Sequence, residues 1–452
     1  APQSPQRREI QQELKMDLTF TFAFEVGIAI VLVLVVFWGK PEYGLFVYGA
    51  ALGFPDIAIP LGTAINLRLD DALIVFFLLR SVLWSPASLT PGQRSIFKWQ
   101  MVLAAACFFS ALVGFANGTP PAEYETIKMI GCVAILIALP RILQSKRRLR
   151  FLVAGLMCAG IALIIQIGQR LGSGPANFLG SFQELKNAAA FSTWNPNTIG
   201  QASMLLAFGA GLGWIVFRKS RIYSGIWLCF PTTFSLIPTL VFSRGAGFSI
   251  AVGYVLFLFL TRHWKFALLF LLIGLSILAY LRKVDTELVD SATRINITTG
   301  EGFSHRFDRW DMALEAIRSD PFLGHGFGQE WIYLSGVGSE GRAHNAYMTV
   351  CIELGLGGLA LLLFAIYRFV SSGMSLCRNS EFHKCGALLI AVIATVCIDS
   401  LASSTLYWEK LPTIALSIGI ALIGICERNR VPAVAQNTPA AEYEALPQHS
   451  SI

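Results

Sequence analysis

The stretch "SEGRAHNAYMTVCIELGLGGLALLLFAIYRF", residues 339–369, passes from charged and glycine-punctuated to apolar. From Ala343 to Phe369 only Glu353 and Arg368 carry full charge. A helix needs about 20 apolar residues to cross a bilayer, so this run reads as a membrane span with polar residues at its mouth. Comparable runs lie at 19–37, 44–62, 71–84, 99–116, 123–140, 151–170, 198–217, 222–241, 246–261, 265–281, 385–405 and 411–426. The whole chain has 452 residues, 54% hydrophobic and 14% charged, and a mean hydropathy of +0.60. Soluble domains carry about 25% charged residues, so the fold class read here is an all-α polytopic membrane protein.

The formal charge of +7 does not point to nucleic acid, because the basic residues sit in short clusters between apolar runs. These are Arg141 with Lys146, Arg147, Arg148 and Arg150; Arg218, Lys219 and Arg221; Arg262 with Lys265; Arg378 with Lys384; and Arg428 with Arg430. Placing every cluster in the cytoplasm gives strict alternation of spans from residue 141 onward. Upstream, Arg7, Arg8 and Lys15 suggest a cytoplasmic N-terminus, which requires one of the five early runs not to cross. The run 44–62 is the choice, since Pro55, Asp56 and Pro60 interrupt helical hydrogen bonding within it. The expectation is about 12 transmembrane helices with both ends inside. Residues 1–18 form a cytoplasmic segment, 19–426 the transmembrane domain, and 427–452 a disordered cytoplasmic tail. Residues 19–37 lack a small-residue cleavage site and are read as retained.

This orientation turns 171–197, 243–246, 282–342 and 407–410 outward. The long 282–342 segment contains "HRFDRWDMALEAIRSDP", which reads as an amphipathic helix with Phe307, Trp310, Leu314 and Ile317 on one face and Pro321 past its end. Such a helix is expected to lie on the membrane–water interface. "GHGFG" at 324–328 reads as a flexible turn; without a preceding strand and a following lysine it is no phosphate loop.

The outward residues able to do chemistry are few. Arg244, in "SRGA" between two apolar runs, either snorkels or pairs with a carboxylate, or else binds phosphate through its planar fork. Arg306 and Arg309 begin the amphipathic helix, where they are a solvated face or further anion ligands. His344 at a helix start is a cap or interfacial residue, or a neutral imidazole that accepts a proton from an attacking hydroxyl. Arg342 and Asn345 flank it and form the wall of the same mouth. Glu353, nine residues on, falls on the opposite helix face and reads as a packing partner. The nine cysteines form no C-x-x-C pair, and no H-E-x-x-H, D-x-D, Walker A or G-x-S-x-G motif occurs. No metal site or cofactor is expected.

In order, "NPNTIG" (195–200), "SRGAG" (243–247), "RFDRW" (306–310), "DPFLGHGFG" (320–328) and "AHNAYMTVCIELGLGG" (343–358) resemble the O-antigen ligase and polymerase superfamily, bacterial inner-membrane glycosyltransferases. The resemblance covers roughly residues 150–426. It implies a 282–342 periplasmic loop and transfer of a glycan from an undecaprenyl-diphosphate carrier to an acceptor hydroxyl, with inversion and without metal or nucleotide. By that resemblance Arg244 and Arg306 bind the lipid diphosphate and His344 orients or deprotonates the acceptor. Arg309, Arg342, Asn345 and Asn197 contact diphosphate or glycan. His325 stands where the family commonly has an apolar residue and receives no role.

A ligase acting on lipid A-core is the leading reading, with a repeat-unit polymerase extending a growing glycan next and a protein glycosyltransferase after it. A transporter is the alternative of another class. It would show paired interrupted spans in two halves, and none are visible.

Overall fold

A computed structural model describes residues 31, 34, 35, 38–54, 58–60, 66–84, 88–116, 123–173, 196–217, 237, 243–269, 272, 304–330, 334, 342–403 and 408–430. Helices dominate: α1 (Pro41–Ala51), α2 (Leu69–Trp84), α3 (Pro91–Ala116), α4 (Glu123–Ile142), α5 (Lys146–Ser173), α6 (Pro196–Val216), α7 (Arg244–Leu260), α8 (Ser304–Ser319), α9 (Ala346–Cys377), α10 (His383–Asp399) and α11 (Lys410–Arg430). A two-stranded antiparallel ribbon, β1 (Ala58–Pro60) with β2 (Asn66–Arg68), precedes α2 and pairs Ile59 with Leu67. Among the described residues, five helices are long and apolar enough to cross a membrane: α3, α5, α6, α9 and α11. Their lipid-facing residues are apolar too, as at Phe109, Phe115, Ile165 and Leu363, which a water-facing helix would not carry in such numbers. The chain is a multi-pass membrane protein. The run 222–241 and most of 19–37 and 265–281 lie outside the described residues, as do 282–303 of the long loop and 431–452 of the tail. Helix α11 itself runs on to Arg430, past the boundary set for that tail.

The basic clusters that fall among the described residues share one end of the bundle. Arg428 donates to the Gln144 carbonyl at 3.4 Å, and Arg150 donates to that of Val216 at 3.3 Å. Lys384 lies 4.3 Å from the centre of the Trp214 ring, which in turn meets His263 edge-on. His383 closes the set through the Leu260 carbonyl at 2.8 Å. This basic end holds the close of α4, α6, α7, α9 and α11 and the start of α5 and α10.

Helix α1 crosses α5 through small residues. A methyl at Gly155 would lie 2.2 Å from the Phe46 carbonyl oxygen, and one at Gly53 2.5 Å from the Ala159 Cα. Gly49-x-x-x-Gly53 against Gly155-x-x-x-Ala159 is the small-residue spacing that lets helix backbones touch in lipid. The expectation that 44–62 does not cross falls partly on 55–57 and 61–62, outside the described residues. Glu42 lies 3.7 Å from Arg147 at the basic end, while Asp71 pairs with Lys410 at the opposite end. Between them the chain therefore passes from one end to the other, though not as one helix. Helix α1 stops at Ala51, ahead of Pro55, and the antiparallel ribbon that follows folds back on itself, bringing Arg68 opposite Ala58.

Helix α9 is broken inside. Gly355 has φ 66° and ψ −169°, which ends the helical ladder and frees carbonyls of the preceding turn. The 320–328 turn fills the break. His325 N–H donates to the Ile352 carbonyl at 2.7 Å and Gly326 N–H to that of Glu353 at 3.1 Å, while Leu356 N–H donates to Pro321 at 2.8 Å. Ser110 of α3 adds a bond to the Glu353 carbonyl at 3.3 Å and receives one from Phe327 N–H at 3.0 Å. Gly324, Gly326 and Gly328 all have positive φ, the conformation this fit demands. The segment read as a flexible turn is a plug in a helix.

Candidate active site

Every motif singled out in the sequence that falls among described residues comes to the end of the bundle opposite the basic clusters. Gly200 at the start of α6 packs against Ser243 and Ala246 at the start of α7, so closely that a methyl there would lie 2.4 Å from the Ser243 hydroxyl. Gly245 in turn faces the end of α10, where a methyl would lie 3.3 Å from Asp399 Oδ1. The start of α9 joins the same end of α10, since Ala346 N–H lies 2.9 Å from the Ser400 carbonyl and 3.0 Å from that of Ser403. Three helices thus begin here, and their first-turn N–H groups and dipoles favour a bound anion. Ser243 caps α7 without a side-chain bond.

Helix α8 brings the "RFDRW" motif in. Trp310 Nε1–H donates to the Ala343 carbonyl at 3.0 Å, and Ala313, Ala316 and Ile317 pack with Ala343, Met348 and Ile352. Among the described side chains the buried stripe is therefore 310, 313, 316 and 317, which keeps 310 and 317 of the predicted face but not 314, and it faces protein; the Phe307 side chain lies outside the described residues. Leu314 points away and is 39% exposed. His325 Nε2 lies 2.8 Å from the Ala316 carbonyl, tying the glycine turn to the end of α8.

The predicted site residues have distinct settings. Arg244 is the first residue of α7 and Arg306 lies in the first turn of α8; their side chains are outside the described residues. Arg309 is half-buried and its Nε has no hydrogen-bond partner among the described residues. Asn197 is exposed at the start of α6. His344 is half-buried in left-handed backbone, φ 51°, immediately before the N-cap of α9. That cap is Asn345, whose Oδ1 accepts from Tyr347 and Met348 N–H at 3.0 and 3.2 Å. Arg342 donates to Glu125, which also lies 3.4 Å from Lys128; Lys128 pairs with Glu409 at 2.7 Å. Burial works against the Arg342 charge, but the carboxylates of Glu125, Glu330 and Glu409 outweigh it and hold the guanidinium protonated.

Sequence reading missed Asp399, Glu125, Glu330 and Glu409. Asp399 is buried and accepts from the Ser403 hydroxyl at 2.7 Å. Glu330 is 6% exposed, and its Oε1 accepts from Ala343 N–H at 2.8 Å and from the Thr349 hydroxyl at 2.9 Å. Burial pushes the Glu330 carboxyl above its usual range, against those bonds and the nearby Arg342. A carboxylate at the edge of an apolar run or beside a turn was the available signal. Glu409 even stood within an outward "YWEK". Among the described residues, no group of three His, Cys, Asp or Glu could hold a metal ion.

This arrangement places cationic motifs, three helix starts and an imidazole at one end of a membrane bundle. It suits an anionic, lipid-borne substrate that reacts with a hydroxyl. Residues 227–363 match the O-antigen ligase family model, a segment that includes Arg244, Arg306, Arg309, Arg342, His344 and Asn345. The match covers less than a third of the chain and supports a likeness to the O-antigen ligase superfamily over that segment. No curated protein gives a significant match. The family so matched implies a glycosyltransferase-like role and lipid-linked glycan substrates in a bilayer. Asn197 and Asp399, at the same end of the bundle, lie outside the matched segment.

Proposed function

We propose that the chain is an O-antigen ligase that moves a glycan from undecaprenyl diphosphate to a hydroxyl of lipid A-core. The transfer takes place at the periplasmic face of the bacterial inner membrane. The observation that carries this reading is the gathering of the α6, α7 and α9 starts, with α8 docked on α9, at the end opposite the basic clusters. The positive-inside rule puts the basic end in the cytoplasm and so the site outside.

In the reaction the acceptor oxygen attacks the anomeric carbon while the bond from that carbon to the diphosphate oxygen breaks, with inversion. The acceptor proton passes to the His344 imidazole, and the electron pair leaves on undecaprenyl diphosphate. Arg244 and Arg306 bind the diphosphate and stabilise the charge that grows on it, a task fixed cations perform well where water is excluded. Arg309 and Asn197 contact diphosphate or glycan. Arg342 and Asn345, anchored to Glu125 and to the α9 N-terminus, form the wall beside them.

The test is reconstitution in nanodiscs with undecaprenyl-diphosphate-linked glycan, with and without lipid A-core, resolved by gel. Product only when lipid A-core is added supports the ligase. Longer lipid-linked chains from donor alone would instead assign a polymerase acting on a growing glycan. No product from a donor proven active on a control enzyme would overturn both.

A further inference from the structure

We propose that Glu330 is a positioning residue that holds His344 in reach of the acceptor. The inference rests on the glycosyltransferase reading of the site. His344 has φ 51°, and left-handed backbone is unfavourable at a residue other than glycine, so its surroundings must impose it. The residues on either side are fixed. Ala346 N–H is held by the Ser400 and Ser403 carbonyls, and the Ala343 carbonyl by Trp310. Glu330 supplies the remaining restraint on the upstream peptide, accepting from Ala343 N–H at 2.8 Å.

The same oxygen reaches one turn into α9, where the Thr349 hydroxyl lies 2.9 Å away. That hydroxyl also lies 3.0 Å from the Asn345 carbonyl, so its single proton is shared between the two. Glu330 therefore brackets His344 from both sides, at residues 343 and 349. Its own place is rigid, because it follows directly on the glycine turn that His325 and Gly326 fasten to the Ile352 and Glu353 carbonyls. The charged groups facing it are Arg342 and, beyond that, Glu125. Glu330 acts on the imidazole through the backbone. A base must sit within hydrogen-bond reach of the proton it takes, and a displacement of about 1 Å can cost about 100-fold in rate.

The experiment uses full-length protein in nanodiscs as wild type, Glu330→Ala and Glu330→Gln. Initial transfer rates are measured with undecaprenyl-diphosphate-linked glycan and lipid A-core. Hydrogen exchange is followed in parallel by mass spectrometry on the peptide covering 340–350. Glu330→Ala should lower kcat roughly 10- to 100-fold with the donor KM within about threefold, and should speed exchange in that peptide. Glu330→Gln, whose amide oxygen can accept both bonds, should stay within about threefold of wild type in kcat, without faster exchange. Wild-type kcat in Glu330→Ala, or Glu330→Gln as impaired as Glu330→Ala, would overturn the proposal. If the wild type transfers nothing, the glycosyltransferase reading fails and exchange alone decides, unchanged exchange in Glu330→Ala counting against the role. If Glu330→Ala does not fold, Thr349→Val replaces it. It removes one of the two donors and should lower kcat about three- to tenfold, while no loss would overturn the inference.

Discussion

The indole N–H of Trp310 donates to the carbonyl of Ala343 at 3.0 Å, joining α8 to the residue before His344. Phenylalanine at 310 would fill the same apolar slot without the donor. One hydrogen bond of this kind is worth about 1 kcal/mol, so Trp310→Phe should slow glycan transfer about fivefold with little change in thermal stability. A wild-type rate would mean that α8 does not brace the His344 segment.

The glycine break in α9 makes a stability prediction. Gly355 has φ 66°, and a methyl there would lie 2.3 Å from the Phe322 carbonyl oxygen. Gly355→Ala should cost about 2–4 kcal/mol, seen as a large fall in melting temperature in detergent. Gly131→Ala is the control, since among the described residues nothing lies within 4 Å of its added methyl, and a helical alanine should be neutral or slightly stabilising. Equal melting temperatures for the two variants would contradict the plug.

Glu330 gives a pH dependence with a definite sign. Its folded-state pKa is raised above the ordinary value of 4.5, first by burial, so its protonated form is favoured in the fold. That contribution is complete below 4.5 and is lost as pH rises through the folded pKa. Glutamine does not ionise, so Glu330→Gln should match wild type in melting temperature in acid and exceed it increasingly as pH rises to neutrality. A difference that is constant with pH, or that shrinks, would show that Glu330 is not held in this way.

The course of residues 41–71 can be tested by labelling. Tyr43 is 52% exposed beside the Glu42–Arg147 contact, whereas Asp71 pairs with Lys410 at the other end. In a cysteine-free background, Tyr43→Cys should react with an impermeant maleimide in inside-out vesicles and not in intact spheroplasts. The reverse pattern would return Glu42 to the outer side.

Five of the apolar runs were legible as long membrane helices because such helices are written in plain composition, without any tertiary knowledge. Helix α8 was legible too, down to its stop at Pro321. Its buried face was misread in part because the reading favoured large residues. The structure packs the small Ala313 and Ala316 against α9 and leaves Leu314 outside. The break at Gly355 was hidden by its setting, since "GLGG" in a membrane helix is ordinary composition and only the arrival of the 320–328 turn gives it meaning. Asp399 and Glu330 were invisible for the same reason. Each is a single carboxylate whose partners, Gly245 and Ala343, come near only through folding. The prolines of the run 44–62 were legible as a stop, since α1 ends at Ala51, ahead of Pro55.

The central claim is that the gathered helix starts form a glycan-transfer site. It is tested most directly by Arg244→Ala, Arg306→Ala and His344→Ala in nanodiscs with undecaprenyl-diphosphate-linked glycan and lipid A-core. Each variant should lose at least about 100-fold in transfer rate while keeping wild-type expression and melting temperature, as expected for groups that act in the transition state. Wild-type rates in all three would contradict the account.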